Sequence, residues 1–225
     1  MKLLAIDTAS VLCAACVFDT AERKALSRVS HEIGKGHAER LMDILAEVLD
    51  GACTDYAGLD AIAVSIGPGS FMGIRTGVAA ARGLALALDI PATGVTTLEA
   101  LATEARLLHP GQAVLSAIDA GRSELYAALY APDGRVLREP AALAPGDAAD
   151  WADSDTILAG SGALLVEAAA GRGKVSAILG ATADIVAFAQ VAAKREGFGP
   201  KPVPLYLRAP DARPQTGFAL PRRGA

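Results

Sequence analysis

The chain has 225 residues, of which 52% are hydrophobic and 20% charged, and its 21 basic and 25 acidic side chains give a formal net charge of -4. This composition is typical of a folded globular protein with one domain or two small ones, and it excludes a disordered or collagen-like chain. The acidic balance also argues against nucleic-acid binding by bulk electrostatics, because that mode requires clustered Lys and Arg.

The beginning of the chain predicts a cytoplasmic protein with no membrane segment. Lys2 is followed by only four apolar residues before Asp7, and this run is too short for a signal peptide. The longest strongly apolar stretch, 77–88, is interrupted by an arginine and has the length of an ordinary helix. We therefore expect a protein that folds in water.

The three cysteines fit a reducing compartment better than a disulfide framework. Cys13 and Cys16 have the C-x-x-C spacing of redox sites, but they lie in an alternating, strand-like run. Positions three apart in a strand face opposite sides of its sheet. We therefore expect two buried structural thiols instead of a redox pair.

Hydrophobic periodicity in the first half predicts three strands and then alternating helices and strands. Apolar residues recur at 3.6-residue spacing in 37–50, which indicates an amphipathic helix. A second, strongly apolar helix ends before Pro91, and Thr97 with Glu99 suits the start of a third. The predicted order is βββαβαβα, with strands at 2–8, 12–19, 23–30, 60–66 and 92–95 and helices at 37–50, 74–88 and 97–108.

The second half of the chain repeats the opening of the first. Residues 116–120, Ser-Ala-Ile-Asp-Ala, align with residues 4–8, Leu-Ala-Ile-Asp-Thr, and a hairpin follows each segment. Self-similarity of this kind indicates duplicated units. We predict two βββαβα lobes, at 1–105 and 106–205, a last helix near 184–196 that packs back on the first lobe, and a Pro/Arg-rich tail at 206–225.

Tandem βββαβα lobes resemble the duplicated, ribonuclease H-like fold of actin, sugar kinases and Hsp70 chaperones. In that fold ATP lies between the lobes, so the resemblance implies a working or vestigial cleft at Asp7, Thr8 and Asp119. Both aspartates could instead simply accept hydrogen bonds from local backbone N–H groups where a strand enters a turn. An ATP-dependent phosphotransferase that uses this cleft is the alternative function.

A glycine-rich segment, 67–77, separates a predicted buried strand from the second helix. It is not a Walker A loop, because Met72 stands where that motif has its second glycine and no lysine follows before Lys174. It is not a Rossmann fingerprint, because the third glycine arrives one residue late. Ser70 is expected to cap the helix, and anion binding by free N–H groups at the helix start remains open.

Small residues form a stripe along this second helix. Gly73, Gly77 and Ala81 recur every fourth residue and leave one face almost without side-chain bulk. The helix at 37–50 adds an apolar face that we place beside the stripe. We interpret the pair as a surface that the chain's own sheet leaves uncovered for a partner, with ordinary internal core as the alternative.

Five segments resemble, in order, the motifs of the bacterial TsaB (YeaZ) family, and they span nearly the whole chain. The family resemblance implies the actin-like fold and a role in making threonylcarbamoyladenosine in tRNAs that read codons beginning with A. Met72 departs from the pattern, since threonine is usual there. The segments are 5–8 (AIDT), 37–42 (HAERLM), 67–77 (GPGSFMGIRTG), 118–126 (IDAGRSELY) and 204–208 (PLYLR).

The same resemblance implies a subunit that is not itself an enzyme. It would pair with TsaD, a paralogue that holds the metal and performs the transfer, while the ATPase TsaE joins the pair and tRNA is reached through the complex. Alone, the chain would form a homodimer. ATP, Mg²⁺ and the metal would belong to the partner subunits, which agrees with the absence of a phosphate-binding lysine and of an H-x-x-x-H motif.

The implied TsaD-binding face lies on the helices predicted at 37–50 and 74–88. Its residues are His37, Leu41, Leu45, Val48, Gly73, Ile74, Gly77, Val78, Ala81 and Leu84.

Overall fold

The computed structural model describes residues 1–171, 176–195, 197 and 199–208, and their strands form two five-stranded sheets. Sheet A contains β1 (Lys2–Asp7), β2 (Leu12–Asp19), β3 (Lys24–Glu32), β4 (Ala61–Ser65) and β5 (Ala92–Val95). Sheet B contains β6 (Val114–Gly121), β7 (Glu124–Tyr130), β8 (Val136–Leu143), β9 (Ile157–Ala159) and β10 (Ser176–Ile178).

The two sheets share one topology. Sheet A has the order β3-β2-β1-β4-β5, and sheet B has the equivalent order β8-β7-β6-β9-β10. In each, the first three strands along the chain form an antiparallel meander, and the last two run parallel to the first. This repeat confirms the predicted duplicated α/β fold of two βββαβα units.

The helices begin and end close to their predicted bounds. The second helix starts three residues earlier than predicted, at Phe71, because the Ser70 hydroxyl accepts a hydrogen bond from the N–H of Gly73 and so caps it, as expected. The stretch 140–153 contains the end of β8 and a short helix. The helices are α1 (His37–Gly51), α2 (Phe71–Leu88), α3 (Thr97–Leu108), α4 (Pro145–Ala149), α5 (Ala163–Ala170) and α6 (Ile185–Ala193), with a 3₁₀ turn at Tyr56–Gly58.

Helices and sheets alternate in five layers. Helices α1 and α2 cover one face of sheet A, and α4 and α5 cover one face of sheet B. The remaining faces of both sheets enclose α3 and α6 in a shared apolar core. Helix α3 packs on β6 of sheet B, whereas α6 packs on β1 and β2 of sheet A and against α3. Each sheet is therefore completed by a helix from the other half of the chain.

The two cysteines of the C-x-x-C motif lie on opposite faces of β2. Cys13 belongs to the core beneath α1 and α2, and Cys16 belongs to the core shared with α6. Both thiols are fully buried and free. The prediction of two structural thiols is confirmed.

The segment after α6 differs from the predicted tail. Residues 199–208 run in an extended path, and Leu205 donates a backbone hydrogen bond to the carbonyl of Ile66, at 2.8 Å. Tyr206 and Arg208, which the sequence analysis assigned to the tail, contact α2 and the β6–β7 hairpin respectively. The rest of the predicted tail, 209–225, lies outside the described residues.

Candidate functional site: the interlobe cleft and the outer face of α2

The Asp7 carboxylate ends β1 and is almost completely buried, at 1% exposure. One oxygen accepts a hydrogen bond from the N–H of Ala9 at 2.9 Å, and the other accepts from the hydroxyl of Thr182 at 2.7 Å. The first contact is the local turn that the sequence analysis weighed as the alternative. The second joins β1 to the residues that precede α6, so both oxygens already have partners within the chain.

Asp119 occupies the matching place in sheet B, but it is exposed. Its carboxylate accepts a hydrogen bond from the N–H of Gly121 at 2.8 Å, which repeats the turn at Asp7. Its own N–H donates to the hydroxyl of Ser161 at 3.1 Å. The two aspartates are thus equivalent in backbone role and different in accessibility.

The glycine-rich segment packs directly on the turn that follows β1. A Cβ atom on Gly73 would overlap the carbonyl oxygen of Thr8, and one on Gly69 would overlap that of Ala9. The Thr8 hydroxyl donates to the carbonyl of Gly73 at 2.7 Å, and the N–H of Ser70 donates to that of Ala9 at 2.7 Å. These glycines are needed because two backbone segments approach too closely for any side chain.

Sheet B uses a glycine in the same way. Gly160 follows β9, and a Cβ atom there would overlap the carbonyl oxygen of Ala117 in β6. Its φ of +103° is also unfavourable for other residues. In each half, glycines that follow the fourth strand therefore allow that segment to pack closely on the end of the first strand or on the turn after it.

The cleft beside Asp7 does not fit a triphosphate. A cavity of about 460 Å³ lies there between the β2–β3 face and the start of α6. Arg28 is the one cation among its described lining residues, and it forms an ion pair with Asp184 at 2.9 Å. Among the described residues, moreover, no group of three His, Cys, Asp or Glu side chains is placed to hold a metal. Since both oxygens of Asp7 have partners and the Thr8 turn is covered, we derive no step through ATP or Mg²⁺.

The helix face predicted for partner docking points inward instead. On α1, the predicted residues pack against sheet A, and so do those on α2; Leu84 is half-buried and the others are buried. The prediction of an outward small-residue stripe is therefore wrong. A stripe of small residues allows a helix to pack closely on a strand of its own chain as well as on a helix of a partner. Here Gly77 lies against Thr8 and Val64. The inward residues are His37, Leu41, Leu45, Val48, Gly73, Ile74, Gly77, Val78 and Ala81.

His37 shows the inward role of this face clearly. It is 7% exposed and begins α1, and its Nε2 lies 3.2 Å from the carbonyl oxygen of Leu12. This contact fixes the start of α1 to the beginning of β2.

The opposite side of α2 is exposed, and we call the apolar strip along it the outer face. This strip consists of Met72, Ala79, Gly83 and Leu86, and the exposed Arg75 and Arg82 flank it on one side. Met72 is 67% exposed and Leu86 is 82% exposed, and nothing lies within 4 Å of a Cβ built on Gly83. This face was not predicted from the sequence, where its signal was the position of Met72 and Leu86 opposite the glycine stripe in the helical repeat.

Helix α2 is also long and apolar enough to cross a membrane by length and composition alone, and 28% of it is buried in the protein. One such helix is weak evidence for a membrane segment, because core helices of soluble proteins pass the same test. Its inner face packs on the chain's own sheet. Its outer face is exposed among the described residues, and an exposed apolar surface is typical of a binding site.

A family model described as TsaD, tRNA N6-adenosine threonylcarbamoyltransferase, matches residues 28–195. The chain is 35% identical over 133 residues to the tRNA threonylcarbamoyladenosine biosynthesis protein TsaB of Escherichia coli. That match covers 59% of this chain and 56% of the relative, so the aligned region spans about half the length of that relative. The chain is also 37% identical over 217 residues to an uncharacterised protein of Mycobacterium tuberculosis, with 94% of each covered.

The solved structure of YeaZ from Pseudomonas aeruginosa is similar along almost its whole length. The TM-score is 0.77 and the identity is 30%, with 92% of this chain and 99% of that chain covered.

Proposed function

Because this chain belongs to the TsaB (YeaZ) family, we propose that it is the non-catalytic subunit that pairs with TsaD to make threonylcarbamoyladenosine in tRNA. In this proposal TsaD performs the transfer, TsaE joins the pair, and tRNA is bound by the complex. The chain contributes a docking surface and no reacting group. In the absence of TsaD it pairs with itself through the same surface.

The outer face of α2 is the observation that carries this proposal. Its exposed residues are apolar, and the alanine and glycine between Met72 and Leu86 allow a second helix to approach the backbone closely. Charged residues are usually depleted at the centre of such interfaces, and Met is enriched. The face therefore suits a helix of a folded partner better than it suits solvent.

The interlobe cleft supports the non-catalytic part of the proposal. The buried oxygens of Asp7 are held by Ala9 and Thr182, and the turn at Thr8 is covered by the glycine-rich segment. A catalytic carboxylate must be able to reach its ligand or substrate. The Asp7 carboxylate instead stabilises the fold, because it holds the end of β1 to the following turn and to Thr182.

Co-purification with TsaD tests the docking face. Leu86→Glu places a charge on the outer face, and we expect the affinity for TsaD to fall at least about tenfold, or ~1.4 kcal/mol. Because Leu86 is 82% exposed, the variant should fold normally, which circular dichroism can verify. The matched control is Leu107→Glu on α3, where the leucine is 66% exposed and lies away from this face.

The outcomes separate the two parts of the proposal. Wild-type affinity in Leu86→Glu would remove the outer face from the interface, whereas failure of the wild-type chain to bind TsaD would remove the subunit role. Reconstituted tRNA modification should require both chains, and transfer by this chain alone would contradict its assignment as non-catalytic.

A further inference from the structure

The segment 203–208 makes directional contacts with two parts of the chain that are distant from each other in sequence. These are the start of α2 and the β6–β7 hairpin. The segment starts beside Ile66 at the end of β4, where Leu205 is held by the backbone hydrogen bond described above. It then passes the start of α2 and ends at the hairpin between β6 and β7. The segment is extended, so it spans this distance without forming a helix or a strand of its own.

At α2 the segment is held by an aromatic and cationic cluster. The Arg75 guanidinium carbon lies 3.8 Å from the centre of the Phe71 ring and 5.8 Å from that of Tyr206. Arg75 Nε donates to the Tyr206 hydroxyl at 2.9 Å, and the two rings are 5.4 Å apart. Stacking of a guanidinium on aromatic rings fixes both the cation and the rings.

At the hairpin the segment is held by Arg208. Its Nε donates to a carboxylate oxygen of Glu124 at 3.0 Å, and its Nη2 donates to the same oxygen. Its two Nη atoms also reach the carbonyl oxygens of Ala120 and Gly121, at 3.4 and 3.5 Å. The turn itself is tight, with positive φ angles at Arg122 and Ser123. Arg208 thus holds the turn by hydrogen bonds to Glu124 and to two carbonyl groups of β6.

We propose that residues 203–208 form a clasp that couples the β6–β7 hairpin of the second half to the start of α2. The two anchors lie two residues apart, so an extended chain between Tyr206 and Arg208 has little slack to absorb movement at either end. Loosening one anchor therefore loosens the other. Where the proposed function holds, the clasp also orders the end of α2 at which the outer face begins.

Amide hydrogen exchange on the full chain tests this coupling without any partner. In Arg208→Ala we expect exchange at the start of α2, residues 71–76, to become about tenfold faster although the described hydrogen bonds of Arg208 lie at the hairpin. In Tyr206→Ala we expect the same increase at the hairpin, residues 120–124. The effect at the far end is the signature of the clasp.

Two variants serve as controls. Tyr206→Phe removes only the hydroxyl that accepts from Arg75 and should give a smaller change at the hairpin than Tyr206→Ala. Val203→Ala lies in the same segment, where the valine is 62% exposed, and should leave exchange at both ends unchanged. If each substitution accelerates exchange only at its own anchor, the clasp is overturned.

Exchange with TsaD present adds a measurement that does rest on the proposed function. Docking on α2 should protect the hairpin in the wild-type chain and protect it less in Tyr206→Ala, because coupling between two sites is reciprocal. Protection of the hairpin that is equal in both chains would overturn the coupling. If TsaD does not bind at all, the proposed function fails while the free-chain experiment still decides on the clasp.

Discussion

At the scale of single residues, two glycines of α2 occupy opposite environments. Gly73→Ala should lower the free energy of unfolding by about 1–3 kcal/mol, because its Cβ would overlap the carbonyl oxygen of Thr8. Gly83→Ala should raise it by about 0.5–1 kcal/mol, because alanine favours the helix and nothing lies within 4 Å of the new methyl group. Urea unfolding of the two variants measures both changes.

The same pair separates folding from docking. Gly83→Ala adds bulk to the outer face, so it should weaken TsaD binding while stabilising the chain. Equal losses of stability in both variants would contradict the inward and outward assignment of the two helix faces.

The cysteines differ in reactivity because burial raises the pKa of the Cys13 thiol to about 11 and that of the Cys16 thiol to about 12. Burial is the larger cause of both shifts, and the nearby carboxylates of Asp7 and Asp184 contribute to the raised pKa values of Cys13 and Cys16 respectively. Below these values the thiols stay protonated, and it is the thiolate that reacts.

In the native chain at pH 8 we therefore expect a disulfide reagent such as Ellman's to label one thiol rapidly. That thiol is Cys53, which is exposed. In concentrated urea all three should react, and the Cys53→Ser variant should show no rapid phase in the native state. A second rapid equivalent in the native chain would mean that the β2 core opens readily.

At the scale of elements, Arg195 fastens the end of α6 to the other half of the chain. Its Nη2 donates to both carboxylate oxygens of Glu99, at 2.9 and 3.1 Å, and its Nη1 donates to Thr93 and to the carbonyl of Gly94. Glu99 in turn completes a capping box with Thr96 at the start of α3. One guanidinium thus positions β5, α3 and α6 together.

Arg195→Ala should lower the free energy of unfolding by about 2 kcal/mol, as expected for charge-assisted hydrogen bonds of partly buried groups. Arg195→Lys should recover little of this loss, because a single ammonium nitrogen cannot bind Glu99 and also reach Thr93 and the carbonyl of Gly94, as the two Nη atoms of arginine do. Thermal unfolding of both variants measures the difference. A lysine variant as stable as the wild type would show that charge alone is sufficient here.

The sequence predicted the elements well and the orientation of the α1 and α2 faces badly. Period and capping residues locate α1, α2 and α3, and the repeated Ile-Asp strands reveal the duplication, because these signals are local or repeated in the chain. The direction of the Gly73 stripe depends on Thr8, which is distant in sequence. Where two backbones lie close together, the glycines are the only sign of it in the sequence. A glycine does not indicate which neighbouring segment packs against it.

The docking residues that the sequence predicted on α1 and α2 point inward, so the prediction of those residues was wrong. The sequence pointed to α2 as the docking helix, and that proposal stands with Met72 and Leu86 in place of the inward residues. The contact of Tyr206 with Arg75 was not foreseen, because a segment rich in proline and arginine gives no periodic signal.

At the scale of the whole molecule, the two halves exchange a helix across a shared core. Helix α3 packs on sheet B and α6 packs on sheet A. The lobe boundaries at 1–105 and 106–205 therefore remain a prediction, and they describe only the repeat in the sequence. Residues of both sheets and of both helices belong to one apolar cluster. The halves are therefore expected to unfold together in one transition.

Calorimetric titration with Mg-ATP tests the alternative phosphotransferase function of the whole chain. We expect no saturable heat at micromolar concentrations, because the Asp7 carboxylate is buried and both of its oxygens have partners. Buffer titrated with Mg-ATP provides the baseline. Submicromolar binding that is lost in Asp119→Asn would favour the phosphotransferase and contradict the scaffold role.

The two sides of α2 are constrained by different requirements. The inner side is constrained by packing within the chain, and the outer side, in the proposed function, by partner binding. Glycines that pack on the turn after β1 tolerate almost no added atom, whereas Ala79, Gly83 and Leu86 are exposed among the residues that the structure describes. A combinatorial library confined to these three positions could be selected for binding alone, since nearly every member should fold. Partner preference could thus be retuned, or redirected to an orthogonal partner, without compensating changes in the interior.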